Sequence, residues 1–180
     1  MNLNKNKSEK INLDQLVCKL KKADAKYAKL SKGLQVLYWG MIPLYSTLAI
    51  IDYTESNNIY DLMSGLCYVT TLTIFAIFFG KFHKEYKYVD YALPTLKMLK
   101  NAATRYQPFQ LKKIWLLIAI IIMDAGLCLN TSLGFSVFDV QIHFLGAMLV
   151  AALIGLLIWF FKYKPIRDHA LAIIAEIEGE

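Results

Sequence analysis

Residues 34–80 read LQVLYWGMIPLYSTLAIIDYTESNNIYDLMSGLCYVTTLTIFAIFFG, without a single lysine or arginine. Two apolar runs, 34–51 and 60–80, flank the short acidic linker DYTESNNI. Each run is close to the ~20 residues needed to cross a hydrocarbon core about 30 Å thick. The pattern recurs at 114–161, where runs 114–130 and 142–161 enclose NTSLGFSVFDVQ, again with no basic residue. All 20 Lys and Arg residues lie outside these stretches, nine in 1–33, eight in 81–113 and three in 162–180. Basic residues are retained on the cytoplasmic side during insertion. The partition therefore predicts an all-α integral membrane protein with four transmembrane helices in two hairpins. Both termini and the central loop face the cytoplasm.

Composition agrees. With 57% hydrophobic residues among 180, the chain is too apolar for an ordinary soluble domain. Its net charge of +6 does not point to nucleic acid. The charges sit beside the apolar runs, where topology and anionic lipid headgroups place them, and Arg105 and Arg167 are the only arginines. The bilayer is the expected partner. Cys18, Cys67 and Cys128 have no CxxC or Cys/His spacing, and the last two read as small buried hydrophobes. No cleavable signal peptide is expected, because a mostly polar segment, 1–33, precedes the first apolar run. The abundance of Lys, Ile and Asn suggests a low-GC bacterium, and so an inner membrane.

Trp39, Trp115 and Trp159 all fall at the cytoplasmic ends of their runs, where amphipathic rings favour the headgroup level. Pro43 lies inside the first run, with Ser46 and Thr47 available to compensate a freed carbonyl. Ser64, Thr70, Thr71 and Thr73 in the second run can bond back to their own helix, so they demand no special partner. Asn130-Thr131-Ser132 matches a glycosylation acceptor, a pattern short enough to arise by chance. Ala147, Ala151 and Gly155 recur every four residues in the last run. They read either as a close helix-packing stripe or as ordinary alanine-rich helix.

The basic segments are themselves patterned. Leu13, Leu16, Leu20, Ala23, Tyr27, Leu30 and Leu34 alternate spacings of three and four, the seam of a helix that packs on another. Leu96, Leu99, Ala103 and Tyr106 follow Pro94 in a helix expected over about 94–107, and Ile166, Ala170, Ile173 and Ile177 follow Pro165. The economical reading packs all three into one cytoplasmic bundle. A homo-oligomer or protein partner on the N-terminal seam, or that helix lying on the anionic leaflet, are alternatives.

Asp124 is the one ionisable residue well inside an apolar run, which makes it a functional hypothesis by default. His143 could complete a proton relay with it, but a satisfied structural aspartate is the preferred reading. His83, Glu85 and His169 lack metal-ligand spacing and read as solvated juxtamembrane residues. With no GxSxG elbow, HExxH helix or phosphate-cradling loop, no catalytic residue, metal or cofactor is assigned. The segment DYALPTLKMLKNAATRYQPFQLKK reads as a connecting helix whose Tyr and Phe anchor at headgroups. The expected function is a non-enzymatic scaffold, regulator or accessory subunit acting through helix contacts. A small oligomeric transporter or channel using Asp124 is the alternative, and a membrane enzyme without a recognisable motif is the third.

Overall fold

The computed structural model describes residues 2–107, 110, 114–130, 134 and 136–179, with side chains in the first helix from Leu13 onward. Among the described residues every regular element is helical, and three helices are long and apolar enough to cross a membrane. The elements are α1 (Asn2–Ser56), α2 (Ile59–Lys87), α3 (Thr95–Arg105), α4 (Ile114–Leu129), α5 (Val137–Ile158) and α6 (Lys164–Glu178). A five-residue π-helical turn, Trp159–Tyr163, joins α5 to α6. Thr131 and Ser132 of the glycosylation-acceptor pattern, Phe135 of the following linker, and Pro108-Phe109 lie outside the described residues.

The N-terminal basic segment and the first apolar run form one helix of 55 residues. At about 1.5 Å per residue it is roughly 80 Å long. Pro43 does not interrupt it, and Ser46 and Thr47 donate to the carbonyls of Ile42 (2.8 Å) and Pro43 (2.9 Å). The reversal into α2 uses Asn57 at φ 50°, a left-handed position that Asn tolerates. Asn58 then caps α2 by accepting from the Tyr60 N–H.

α1 and α2 pack antiparallel along a seam different from the one expected. Ala28, Ser31, Gln35, Tyr38, Ile42, Tyr45 and Ala49, at alternating spacings of three and four, face α2 and are buried or half-buried, and Asp24 begins the same stripe one turn earlier. Tyr38 lies over Phe75 and Phe79, Tyr45 meets Tyr68, and Ala49 sits so close to Gly65 that a Cβ there would stand 2.1 Å from its own. The Leu seam serves the basic end alone. Leu16 and Leu20 are fully buried and Leu13, Ala23 and Tyr27 pack beside them, but Leu30 is 59% exposed. Beyond Tyr27 the helix has turned its adjacent stripe, Ala28 and Ser31, toward α2.

The hydroxyls of α2 also behave differently from the expectation. Thr73 bonds back to Val69, but Ser64 donates across to the Gly126 carbonyl (2.7 Å) and Thr71 to that of Ala119 (3.2 Å), both on α4. Gly126 and Ala119 permit this, since a Cβ on Gly126 would lie 2.9 Å from Cys67. Side chains this small bring the backbones within hydroxyl reach. Small residues thus pack α2 to its neighbours, whereas Ala147, Ala151 and Gly155 of α5 are exposed.

At the basic end, Leu16 and Leu20 of α1, Met98, Leu99, Ala102 and Ala103 of α3, Tyr106, Tyr163, and Ala170 and Ile174 of α6 form one core. Pro94 caps α3 rather than opening it. On α6 the buried stripe runs through Ile174, leaving Ile177 at 41% exposure. The three amphipathic segments do pack together. Leu20→Ala should therefore destabilise this core by about 3 kcal/mol, while Leu30→Ala should cost about 0.5 kcal/mol or less. Denaturation followed by amide exchange in α3 and α6 would read the difference.

Candidate functional site: the Asp24 cluster

Asp24 lies where the two seams of α1 meet, and it is 2% exposed. A buried carboxylate is costly unless matched, and here the donors come from remote parts of the chain. Tyr91 Oη and Arg105 Nη2 donate to Oδ2, the latter at 3.2 Å, and Tyr106 Oη donates to Oδ1 at 2.6 Å. Arg105 is itself 12% exposed, so the ion pair is largely shielded from water. Removing one partner of such a pair typically costs about 3–5 kcal/mol, because the other is left as an uncompensated buried charge.

A ring of aromatics encloses the pair. Tyr27 stacks on Tyr86 at 4.8 Å between centroids and leans on Tyr163 at 4.9 Å, while Tyr163 stacks on Tyr106 at 5.7 Å. Trp159 Nε1 donates to the Tyr106 carbonyl at 2.9 Å, and His83 Nδ1 lies 2.8 Å from the Ala28 carbonyl. The cluster thus joins α1, the end of α2, the loop at Tyr91, the end of α3 and the π turn. Burial, foremost, raises the phenols of Tyr27, Tyr86, Tyr91 and Tyr106 above their ordinary range. For Tyr91 and Tyr106 the hydrogen bond to Asp24 is the next cause.

The segment read as a headgroup-anchored connector thus supplies Tyr91, Arg105 and Tyr106 to the interior. Tyr106 is 3% exposed. Lys residues line the outside of this assembly, and Lys100 pairs with Glu178 between α3 and α6. Asp24 was not singled out in the sequence. Its signal was the spacing to Ala28, Ser31, Gln35 and Tyr38, masked because those residues are small or polar.

Asp124 accepts from Gln141 Nε2 at 2.7 Å, and the same amide lies 3.0 Å from Cys128 Sγ. The contact ties α4 to the first turn of α5. His143 instead uses Nδ1 on the Asp139 carbonyl of its own helix at 2.7 Å, so the two proposed relay residues have separate partners. Cys67 and Cys128 are half-buried. Among the described residues, no group of three or more His, Cys, Asp or Glu side chains gathers to hold a metal.

No protein-family model matches the chain, and neither curated proteins nor solved structures give a match.

The raised phenols fix the sign of an alkaline transition. A folded state that holds phenolic protons more tightly than the unfolded chain, whose tyrosines ionise near pH 10, is at full strength below about pH 10 and weakens as pH rises through it. Stability measured against pH should be flat toward neutrality from that point and fall above it. Tyr106→Phe should make the fall shallower, because one of the protons that must be released is gone, while lowering stability at pH 7 by roughly 1–3 kcal/mol through the unmet Asp24 oxygen.

Proposed function

We propose that the chain is a four-span membrane protein, with both termini and the α2–α4 loop in the cytoplasm of a bacterial inner membrane. It works through helix contacts, as a scaffold, regulator or accessory subunit. The observation that carries the contact role is α5. None of its 22 residues is buried. Only Val140, Gln141, Phe144 and Met148 are half-covered, and residues 149–158 are exposed throughout. A helix apolar all round either faces lipid or receives another helix, and Ala147, Ala151 and Gly155 offer a surface that another backbone can approach closely.

Parity supports the four crossings. The basic end of α1, α3 and α6 share one core, and the end of α2 lies beside them through Tyr86 and His83. Apolar helices that leave this core and return to it must cross in pairs. α4, with 16 residues, is the short member. It spans about 24 Å, and a bilayer meets such a mismatch by local thinning at modest cost. The direction follows the basic residues around the core.

A second reading, solute transport, draws on a cleft of about 550 Å³ between α1, α2 and α4, lined by Tyr38, Tyr45, Tyr68, Thr71 and Asn130 among apolar residues. Asp124 does not line it, so coupling through that carboxyl is not part of this reading.

Reporter fusions after Asn57 and Asp139 should read as external, and fusions at Asn101 and the C-terminus as internal; any reversal sinks the topology. For the contact role, photo-crosslinkers placed at Ala151 or Gly155 in native membranes should yield one discrete protein adduct, from a second copy or a partner. Lipid adducts alone at both positions would overturn it.

A further inference from the structure

A second cleft, of about 420 Å³, lies where α1 and α2 pass from the basic end into their apolar stretches. Lys32 and Gln35 of α1 line it with Ile77, Gly80, Lys81, His83 and Lys84 of α2 and the capping Tyr88. No carboxylate is among these residues. The described ion pairs elsewhere on this end, Arg105–Asp24 and Lys100–Glu178, use none of the three lysines. Three like charges around one concavity repel each other unless an anion answers them.

The cleft is also shaped. Gly80 is buried, and a Cβ there would stand 2.6 Å from the Gln35 amide nitrogen, so the absent side chain leaves room for that amide to lie against α2. Lys32 Nζ donates to Gln35 Oε1 at 3.4 Å, which turns one cation toward the amide. His83 is oriented by its Nδ1 contact with the Ala28 carbonyl. One turn toward the apolar layer, exposed Ile77 offers a hydrocarbon surface next to the charged rim.

We infer that this cleft binds the phosphate of an anionic phospholipid, with the headgroup among Lys32, Lys81 and Lys84 and an acyl chain leaving past Ile77. The inference rests on the membrane reading above. It differs from the general attraction of a basic end for an acidic leaflet in being one site with named ligands. A basic rim with no carboxylate among its lining residues, beside an apolar surface and, on the membrane reading, near the level of the lipid phosphates, favours a lipid over a soluble anion.

The test is native mass spectrometry on the full chain in a non-ionic detergent, titrated with phosphatidylglycerol and separately with phosphatidylcholine. One phosphatidylglycerol should bind in preference. Lys81→Gln with Lys84→Gln should weaken it about 25-fold, at roughly fivefold per lysine near the headgroup. Lys81→Arg with Lys84→Arg should retain it, and Lys87→Gln with Lys97→Gln, outside the cleft, should leave it unchanged. Equal weakening in that control pair, or none in the cleft pair with an unaltered melting profile, would overturn the site. Displacement of the lipid by inorganic phosphate alone would overturn the lipid assignment in favour of a soluble anion. A chain that inserts with the stated topology yet prefers neither lipid defeats only the cleft; a chain whose fusions report a reversed topology defeats the membrane reading itself.

Discussion

One carboxyl group, on Asp24, constrains more of this molecule than any other side chain. Its helix must serve two neighbours, the α3–α6 layer on one stripe and α2 on the next, and Asp24 sits where the stripes exchange. Both oxygens are answered only if the loop at Tyr91, the last turn of α3 and the residue after it converge on α1 together. Those groups are 67 to 82 residues away in sequence, with α2 intervening. The polar bonds thus specify how the first hairpin meets the central loop. Replacing a buried ion pair by well-packed apolar residues is often neutral or stabilising, so the pair acts here on register rather than on net stability.

The two long helices solve the same geometric problem differently. Each must be apolar toward one environment and amphipathic at the basic end. α1 does it by sequence, passing from the Leu13–Tyr27 seam to the Asp24–Ala49 seam within one continuous helix. The α5–α6 rod does it by the π turn at Trp159–Tyr163. One inserted residue turns the following face by about 100°. Here the turn brings Trp159 to the Tyr106 carbonyl and Tyr163 between Tyr27 and Tyr106. Aromatic stacking then links the rod to the polar cluster, so the Asp24 bonds and the α6 packing support each other.

The parts legible in the sequence were those written in large apolar residues and in charge. Leu16 and Leu20 announce a buried face, and the α3 stripe is visible between Pro94 and Pro108. The α1–α2 seam was hidden because Ala28, Ser31 and Gln35 carry little hydrophobic signal, although their spacing is as regular as that of the leucines. The partners of Ser64 and Thr71 are hidden for a related reason. A hydroxyl on an apolar helix satisfies itself by default, and its crossing to α4 depends on a glycine and an alanine in a run 48 to 62 residues further on. The Asp24 cluster combined both difficulties, with an acid at a seam position and donors that only tertiary structure could bring to it.

Asp124 likewise fixes one element against another. Its amide partner, Gln141, sits at the first turn of α5, and Trp159 holds the far end of that helix. α5 is therefore fixed by polar bonds at both ends and left almost without contacts between them. A helix held only at one end could swing to cover its own apolar face. One held at both ends keeps that face presented. Fixed in this way, the intervening turns form an apolar rail anchored at both ends. A rail whose position is set by its own chain loses little conformational freedom when another helix docks on it. Asp124 thus helps to hold α5 in place through Gln141, a contact in which His143 takes no part.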